Sequence, residues 1–209
     1  KMPDSSVTVE AAFVKKAAEE EKPETKAFAD VPADAWFKKA VDYVNGKGLM
    51  SGVDENNFGP ELLTNRAMLV TILWRMEGCP TSEQATAFKD IKATDYFYNA
   101  VLWAAENKIV SGVSETSFAP NDSITREQLA AILYRYAAYK GYDVTQGGMA
   151  VREFSDYESI SGYARGSVAW AVNAGIVSGK GNNTLDPSGV ATRAEVASML
   201  MRFCENIAK

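Results

Sequence analysis

The sequence predicts a mostly α-helical protein made of three tandem helix-loop-helix repeats, and three observations support this fold class. Four short motifs, Phe-x-Asp, Ser-Gly, Phe-x-Pro and Arg, follow one another and return sixty residues later. They then return a third time, with Leu replacing the second Phe. Between them, apolar residues recur at helical spacing, and helix N-cap signals precede each arginine. A repeat of this size cannot bury its own apolar face, so the three copies are expected to pack into one cooperative body.

The repeats divide the chain into five segments. Residues 28–80, 81–147 and 148–209 are predicted to be the first, second and third repeats. Alternation of apolar and polar residues in 1–14 predicts a short strand, interpreted as the remnant of a preceding β module. Residues 15–27 are mostly charged or Ala and are interpreted as a linker. We therefore interpret the chain as the C-terminal fragment of a larger protein.

The first helix of each repeat is predicted from apolar residues that share one face. In the second repeat these include Phe97, Val101 and Ala104, and in the third Ala164 and Val168 occupy similar positions. A loop rich in Asn, Asp, Gly and Ser follows and ends at a proline. Loops of this length usually carry function or cover a core.

The second helix of each repeat is predicted to begin at an N-cap residue, namely Asn65, Thr125 or Thr192. Glu195 lies three residues after Thr192, and a glutamine lies three residues after Thr125, which is the spacing of a capping box. Met68 occupies this place in the first repeat, so the reciprocal half of the box is absent there. We expect this difference to lower local helix stability by about 1 kcal/mol.

The composition restricts the possible functions. The net charge of −5 and the pI near 5.0 argue against a nucleic-acid partner, because such partners require clustered Lys and Arg. The sequence contains no histidine, the commonest general base and metal ligand at neutral pH. No apolar run approaches the ~18 residues that cross a bilayer, so membrane insertion is not expected. We expect no catalytic constellation, cofactor or metal site.

Two cysteines, Cys79 and Cys204, lie near the ends of the first and third repeats. Their positions match neither the spacing of metal ligands nor a redox dipeptide. A disulfide between them and two free thiols both remain open, and free thiols packed against apolar residues are favoured.

Three arginines, Arg66, Arg126 and Arg193, each follow an N-cap residue directly. A cation at a helix N-terminus is unfavourable by about 0.3–1 kcal/mol. A bound anion would offset this cost, and a carboxylate could meet both the guanidinium and the helix N-terminal amides. Inheritance by duplication is one alternative. The other is pairing within the chain with an aspartate of the opening motif, Asp30, Asp90 or Asp156.

Aromatic residues stand at the start of the first helix in each repeat: Trp36, Tyr96 and Tyr163. An exposed aromatic beside Arg and Asp can hold a sugar ring, although core packing explains the same pattern. The Ser-Gly pairs allow either close approach of a ligand to the backbone or a simple turn. Three further arginines nine residues after the first set are interpreted as solvated or packing residues: Arg75, Arg135 and Arg202.

The combined pattern resembles the S-layer homology repeat in its usual set of three. The resemblance rests on Phe-x-Asp-Val before Trp36, on the Ser-Gly and Phe-x-Pro motifs, and on Thr192-Arg193-Ala194-Glu195. It implies a pseudo-threefold spindle of three prongs around a central helical bundle, with grooves between the prongs. In this family the grooves bind a secondary cell-wall polysaccharide that carries pyruvate ketals, and thereby anchor the protein to the wall of a Gram-positive-type bacterium.

The resemblance also assigns roles to residues. The arginine of the family motif meets the pyruvyl carboxylate, which points to Arg193 first, then Arg126, and last Arg66, whose surrounding sequence departs most from the motif. The aromatics and the opening aspartates help to form the site. The expected ligand-binding residues are Arg193, Arg126, Arg66, Trp36, Tyr96, Tyr163, Asp30, Asp90, Asp156, Ser51, Gly52, Ser111, Gly112, Ser178, Gly179, Thr125, Thr192 and Glu195.

These observations predict a non-catalytic, extracellular anchor that binds wall polysaccharide. A helical module for protein binding, or for self-association in a surface lattice, is the alternative, and exposed apolar patches would favour it. A third hypothesis is that the chain anchors a glycan-processing enzyme whose active site lies elsewhere.

Overall fold

The computed structural model describes residues 27–82, 86–145 and 147–208. The described part is mostly helical and contains isolated β-bridges but no strand, which confirms the predicted fold class. The strand predicted in 1–14, and all but the last residue of the linker predicted in 15–27, lie outside the described residues. The α-helices are α1 Lys38–Gly46, α2 Arg66–Met76, α3 Tyr98–Glu106, α4 Arg126–Tyr139, α5 Arg165–Asn173 and α6 Arg193–Asn206, and the short 3-10 helices are Ala150–Glu153, Tyr157–Ser159 and Gly181–Asn183.

The helices pack across repeat boundaries in cyclic order. Helix α3 packs against α2, α5 packs against α4, and α1 packs against α6. The first helix of each repeat therefore lies against the second helix of the preceding repeat, and the first repeat closes onto the third. One hydrophobic cluster extends through all three repeats, as expected if no repeat can bury its apolar face alone.

A ring of three backbone hydrogen bonds joins the segments that precede α2, α4 and α6. The Ile124 amide donates to the Thr64 carbonyl at 2.9 Å, and the Thr64 amide donates to the Ala191 carbonyl at 3.0 Å. The Ala191 amide then donates to the Ile124 carbonyl at 2.9 Å. All three residues are buried, so these polar groups are satisfied away from water.

The predicted helix caps are present. The Asn65 side chain accepts from the Met68 amide at 2.8 Å, without a reciprocal bond. Full capping boxes stand at Thr125 and Thr192, where the side chains of Gln128 and Glu195 accept from the N-cap amides. The local difference between the first repeat and the other two is therefore confirmed.

Both cysteines are free. Cys204 is partly buried, and burial raises the pKa of its thiol. Cys79 is exposed, so it is not the packed thiol that the sequence reading favoured, although the absence of a disulfide agrees with it.

Candidate functional site: three grooves between the repeats

Each of the three arginines at a helix N-terminus reaches into the loop of another repeat. The Arg193 Nε donates to the Phe58 carbonyl at 2.9 Å, and its Nη2 donates to the Ser51 carbonyl at 2.6 Å. The guanidinium carbon also lies 4.6 Å from the centroid of the Phe58 ring. The third repeat is thus tied to the first by two hydrogen bonds and a cation–π contact.

The other two arginines repeat this arrangement. Arg66 donates to the Phe118 and Ser111 carbonyls at 3.0 and 2.8 Å. Arg126 donates to the Leu185 and Ser178 carbonyls at 2.7 and 2.8 Å, which completes a cycle of first to second, second to third and third to first repeat.

These contacts bear on two of the three explanations offered for the arginines, namely pairing with an aspartate and an anion bound at the helix amides. Main-chain carbonyls, rather than the opening aspartates, are the shared internal partners of the guanidinium groups. The helix N-terminal amides are also occupied, since the Arg193 and Ala194 amides donate to the Leu62 and Pro60 carbonyls at 2.8 and 3.0 Å. Equivalent bonds occupy the first amides of α2 and α4. The first two amides of each of these helices therefore already have backbone partners and are not free to bind a carboxylate.

The opening aspartates hold the loops rather than the arginines. Asp30 accepts from the Phe58 and Gly59 amides at 2.8 and 2.7 Å. Asp90 accepts from the equivalent amides at 2.9 and 2.7 Å, and Asp156 from those of the third loop at 2.7 to 3.1 Å. Their carboxylates hold the loops whose carbonyl groups receive the arginines, and a ligand contact through them stays a prediction.

The glycines of the Ser-Gly pairs are required by packing. A Cβ on Gly52 would lie 2.6 Å from the ring of Phe28, and a Cβ on Gly179 would lie 2.5 Å from the ring of Phe154. Real Cβ atoms do not make such contacts, so a side chain would displace the ring of the opening motif. The turn interpretation is therefore supported, while the serine carbonyls serve as acceptors for the arginines.

The three aromatics that were candidates for sugar binding lie on the surface. Trp36 is 65%, Tyr96 61% and Tyr163 58% exposed. Trp36 and Tyr96 each make an edge contact with the phenylalanine that follows, and that phenylalanine is buried. Core packing therefore does not explain the aromatics, and their rings are free to contact a ligand.

The first groove, here called the Arg126 groove, combines residues of all three repeats around a cavity of about 400 Å³. Trp36 comes from the first repeat and Arg126 from the second. The third repeat supplies its Ser-Gly loop and one face of α6. The lining residues used below are Trp36, Arg126, Ser178, Gly179, Lys180, Glu195 and Arg202.

The second groove, here called the Arg193 groove, is built the same way around a smaller cavity of about 170 Å³. Tyr96 comes from the second repeat and Arg193 from the third, whereas the loop and α2 belong to the first. The lining residues used below are Tyr96, Arg193, Ser51, Gly52, Met68, Thr71 and Arg75.

The third groove, here called the Arg66 groove, contains Arg66 and Tyr163 beside an open cavity of about 620 Å³ that Ser111, Gly112 and Arg135 line. Tyr163 donates its hydroxyl to Glu127 Oε1 at 3.1 Å. Burial, together with the charge and the hydrogen bond of Glu127, raises the pKa of Tyr163 to about 12.

The second set of arginines belongs to these grooves. Arg75, Arg135 and Arg202 each line one cavity, so the interpretation as merely solvated or packing residues is incomplete. Nine residues are two and a half helical turns, so Arg66 and Arg75 lie on opposite sides of α2 and face different grooves. The recurrence of these arginines at the same spacing in all three repeats was the sequence signal that could have identified them as groove residues. Lys180 and Glu127 gave no such signal, because each occurs in only one repeat.

The electrostatics of the grooves differ. Arg126 Nη1 lies 3.3 Å from Glu195 Oε1, and Lys180 lies 3.2 Å from the same oxygen and 3.0 Å from Asp186. Burial lowers the pKa of Arg126, and the charge of Glu195 opposes that shift. Within the described ranges, Arg193 has no acidic partner within 4 Å.

Neither a metal centre nor a membrane span emerges from the described residues. No group of three or more Asp, Glu or Cys side chains in 27–82, 86–145 and 147–208 could hold a metal ion. In the same ranges, no helix combines the length and the apolar character needed to cross a bilayer.

Comparison with known proteins gives one consistent family. The chain is 33% identical over 181 residues to an amylopullulanase of Thermoanaerobacterium thermosulfurigenes, covering 86% of this chain and 10% of the relative. It is 32% identical over 175 residues to the surface-layer 125 kDa protein of Lysinibacillus sphaericus, covering 82% and 14% respectively. An exoglucanase of Acetivibrio thermocellus is 29% identical over 173 residues, covering 82% and 16%. The chain thus spans less than a fifth of the length of these relatives.

The family assignment follows the repeat boundaries. The model of the S-layer homology domain matches residues 27–67, 87–130 and 153–197, which is one match in each repeat. Each match runs from the opening Phe-x-Asp motif into the second helix, and so contains the aromatic, the loop and the arginine of its repeat. On these grounds the chain belongs to the S-layer homology domain family, of which it contains three tandem copies.

Proposed function

We propose that this chain anchors a surface protein to the bacterial cell wall by binding pyruvylated secondary wall polysaccharide in the grooves between its repeats. S-layer homology domains are non-catalytic and anchor surface proteins to the cell wall. The observation that carries the finer proposal is that an exposed aromatic ring stands at each groove beside a guanidinium group.

The chemistry of the grooves fits an acidic sugar. An exposed aromatic ring can stack on the apolar face of a sugar, while guanidinium groups donate paired hydrogen bonds to a carboxylate. A pyruvate ketal brings both features together, since it adds a carboxylate directly to a sugar ring. The first helix amides already donate to backbone carbonyls, and the opening aspartates carry the same charge as the ligand. The arginines are the cations that all three grooves share, and each has one terminal nitrogen besides the Nε and Nη2 atoms that bind backbone carbonyls.

The relatives indicate how such a module is used. Their names describe polysaccharide-degrading enzymes in some cases and surface-layer proteins in others, yet all share the part that this chain represents. A common anchor attached to different partners accounts for this distribution. This chain belongs at the cell wall, and we propose that it carries no catalytic activity of its own.

Wall binding is tested by co-sedimentation of the protein with purified sacculi, before and after acid extraction of the secondary polysaccharide. We expect binding that is lost on extraction and weakened about tenfold to hundredfold in Arg193→Ala, because a hydrogen bond to a charged group contributes about 1.5–3 kcal/mol. Arg152→Ala, an exposed residue outside the three grooves, is the control for general charge loss.

Two outcomes would contradict the proposal. Binding that survives extraction would identify peptidoglycan as the ligand, whereas unchanged binding by Arg193→Ala would remove the carboxylate contact assigned to that arginine. The thermal midpoint of each variant must be recorded as well, because Arg193 also joins the third repeat to the first.

Self-association is a second candidate, and a small apolar patch favours it. Leu62, Leu63 and Val190 are 54%, 47% and 40% exposed near the ring of backbone hydrogen bonds. One relative is the S-layer protein sap of Bacillus anthracis, 29% identical over 178 residues, which cover 85% of this chain and 21% of the relative. Sedimentation velocity of wild type and Leu63→Ser decides between monomer and assembly, and a monomer at high concentration excludes this candidate.

A further inference from the structure

We propose that the Arg193 groove is the principal carboxylate site of this chain, and that Met68, which stands where α6 has Glu195, keeps this groove selective for an anion because it brings no negative charge. This inference rests on the proposed function. It adds that the three grooves are not equivalent, because acidic residues of the chain already occupy two of them.

The first support is the exposure of the arginines. Arg66 and Arg126 are only 7% and 6% exposed, whereas Arg193 is partly exposed, and its hydrogen bond to Ser51 lies at the surface. The second arginine of the same groove, Arg75, is exposed as well. A ligand can therefore reach two cations in the Arg193 groove without displacing protein groups.

The second support is the internal pairing of the other two grooves. In the Arg126 groove, Glu195 accepts from Arg126 and pairs with Lys180, so an incoming carboxylate would compete with one that is already placed. In the Arg66 groove, Glu127 accepts from Tyr163 and from the backbone and side chain of Ser161. This puts a carboxylate against the aromatic that a sugar would contact.

The third support is the position of Met68. Counting from the arginines, Met68 in α2 corresponds to Gln128 in α4 and Glu195 in α6. Met68 lines the Arg193 groove as Glu195 lines the Arg126 groove, and it supplies no charge. A like charge near a binding site disfavours a second anion by several kcal/mol when both are desolvated. Its absence leaves this groove open to an anionic ligand.

Cavity volume ranks the grooves in the opposite order. The Arg126 cavity is about 400 Å³ and the Arg193 cavity about 170 Å³. If cavity volume governed binding, the Arg66 groove, with its open cavity of about 620 Å³, and the Arg126 groove would both be filled before the Arg193 groove. If the carboxylate governs it, the Arg193 groove is filled first, and the two possibilities are separable by experiment.

The structure supplies a matched pair of variants. In Met68→Glu the new carboxylate would occupy the place that Glu195 has in α6, where it can complete the capping box with Asn65 and lie beside Arg193. In Met68→Gln the same box can form without the charge, as Gln128 shows in α4. Both variants should therefore fold at least as stably as wild type, and their thermal midpoints check this directly.

The experiment measures binding of wall polysaccharide released from sacculi by enzymatic digestion of the peptidoglycan. Isothermal titration gives the affinity, and NMR of the arginine Nε–H groups identifies the groove that fills first. We expect Met68→Glu to bind about tenfold to hundredfold more weakly than Met68→Gln, which has the same side-chain length without the charge. Glu195→Gln should leave the tightest site unchanged and strengthen the response of Arg126. Methyl-esterified polysaccharide serves as the uncharged control.

The outcomes separate this inference from the function on which it rests. If Met68→Glu binds as tightly as Met68→Gln, or if the Arg126 or Arg66 signal moves before that of Arg193, the inference is wrong while polysaccharide binding stands. If wild type fails to bind, or binds the esterified polymer equally well, both the pyruvate contact and the inference are wrong.

Discussion

The contacts that join one repeat to the next (the junctions) are nearly the same in all three copies, whereas several residues that line the grooves (the rims) differ from copy to copy. At each junction the arginine donates Nε and Nη2 to carbonyls at equivalent loop positions, with bond lengths between 2.6 and 3.0 Å. At the rims, the third helical position is Met68, Gln128 or Glu195, and Lys180 and Glu127 each occur once. The comparison teaches that the contacts of assembly are repeated, whereas the charges along the first turn of the second helices and beside the Ser-Gly loops differ from groove to groove.

The guanidinium group of each arginine at the start of a second helix can contribute both to the junction and to the rim of a groove. Its Nε and Nη2 atoms face inward and join two repeats. In Arg126 the remaining nitrogen, Nη1, faces Glu195. The equivalent nitrogen of Arg193 has no acidic partner in the part of the chain that the structure describes. The inner half of the side chain thus contributes to stability, and the outer half is available for recognition.

The largest effect is expected when Arg126, the least exposed of the three arginines, is replaced. Arg126→Ala should lower the free energy of unfolding by about 2–4 kcal/mol, because two carbonyls lose their donor and Glu195 keeps Lys180 in place of both cations. Arg75→Ala, at an exposed position, should change it by less than about 0.5 kcal/mol. Urea denaturation followed by circular dichroism measures both. Equal losses would contradict the division between junction and rim.

The second test concerns the loops that receive the arginines. A Cβ on Gly112 would lie 2.5 Å from the Phe88 ring and would also crowd the Ser114 and Ser117 carbonyls, so Gly112→Ala should cost about 1–3 kcal/mol. Gly166 lies inside α5 with no neighbouring atom within 4 Å of an added Cβ, and Gly166→Ala should gain about 0.5–1 kcal/mol. Opposite shifts in the urea midpoint are expected. A neutral Gly112→Ala would show that the loop tolerates displacement.

The smallest expected effect is a pH dependence of the junction. Burial raises the pKa of Asp90, but hydrogen bonds from the Phe118 amide, the Ser117 hydroxyl and the Ala119 amide outweigh it and hold this pKa below its usual value of 3.8. The stabilisation is therefore complete above that value and is lost as the pH falls through the lower pKa of the folded state. Between pH 5 and 3, Asp90→Asn should show a shallower fall in the urea midpoint than wild type. Parallel curves would contradict this role.

The fold could be predicted from the sequence to a large extent because the chain repeats itself. Three copies of the same apolar spacing and caps fix the number, type and order of the helices, and the caps at Thr125 and Thr192 are formed by neighbouring residues. The family resemblance added the expectation of grooves between the repeats. Local signals and repetition together were therefore sufficient to predict the α-helices, their order and their caps.

The roles of individual site residues were harder to predict, because they depend on contacts between distant residues. The partners of Arg193 lie 135 and 142 residues away, and no local pattern identifies a backbone carbonyl as an acceptor. The pairing of Arg126 with Glu195 likewise joins residues that are distant in sequence, because Glu195 lies in α6 of the next repeat, 69 residues further along the chain. The aromatics could be named as candidates, but only the structure shows that their rings are exposed.

The cyclic order of the contacts limits how many repeats the module can contain. In an open stack, a repeat can be added or removed at either end, because each end presents a surface that another copy can cover. Here α1 lies against α6, and Arg193 fills the loop of the first repeat, so no such end remains. A fourth copy would have to break this closure, and a module of two would leave α1 and one arginine-binding loop uncovered. Gain of wall affinity by duplication should therefore proceed in whole sets of three.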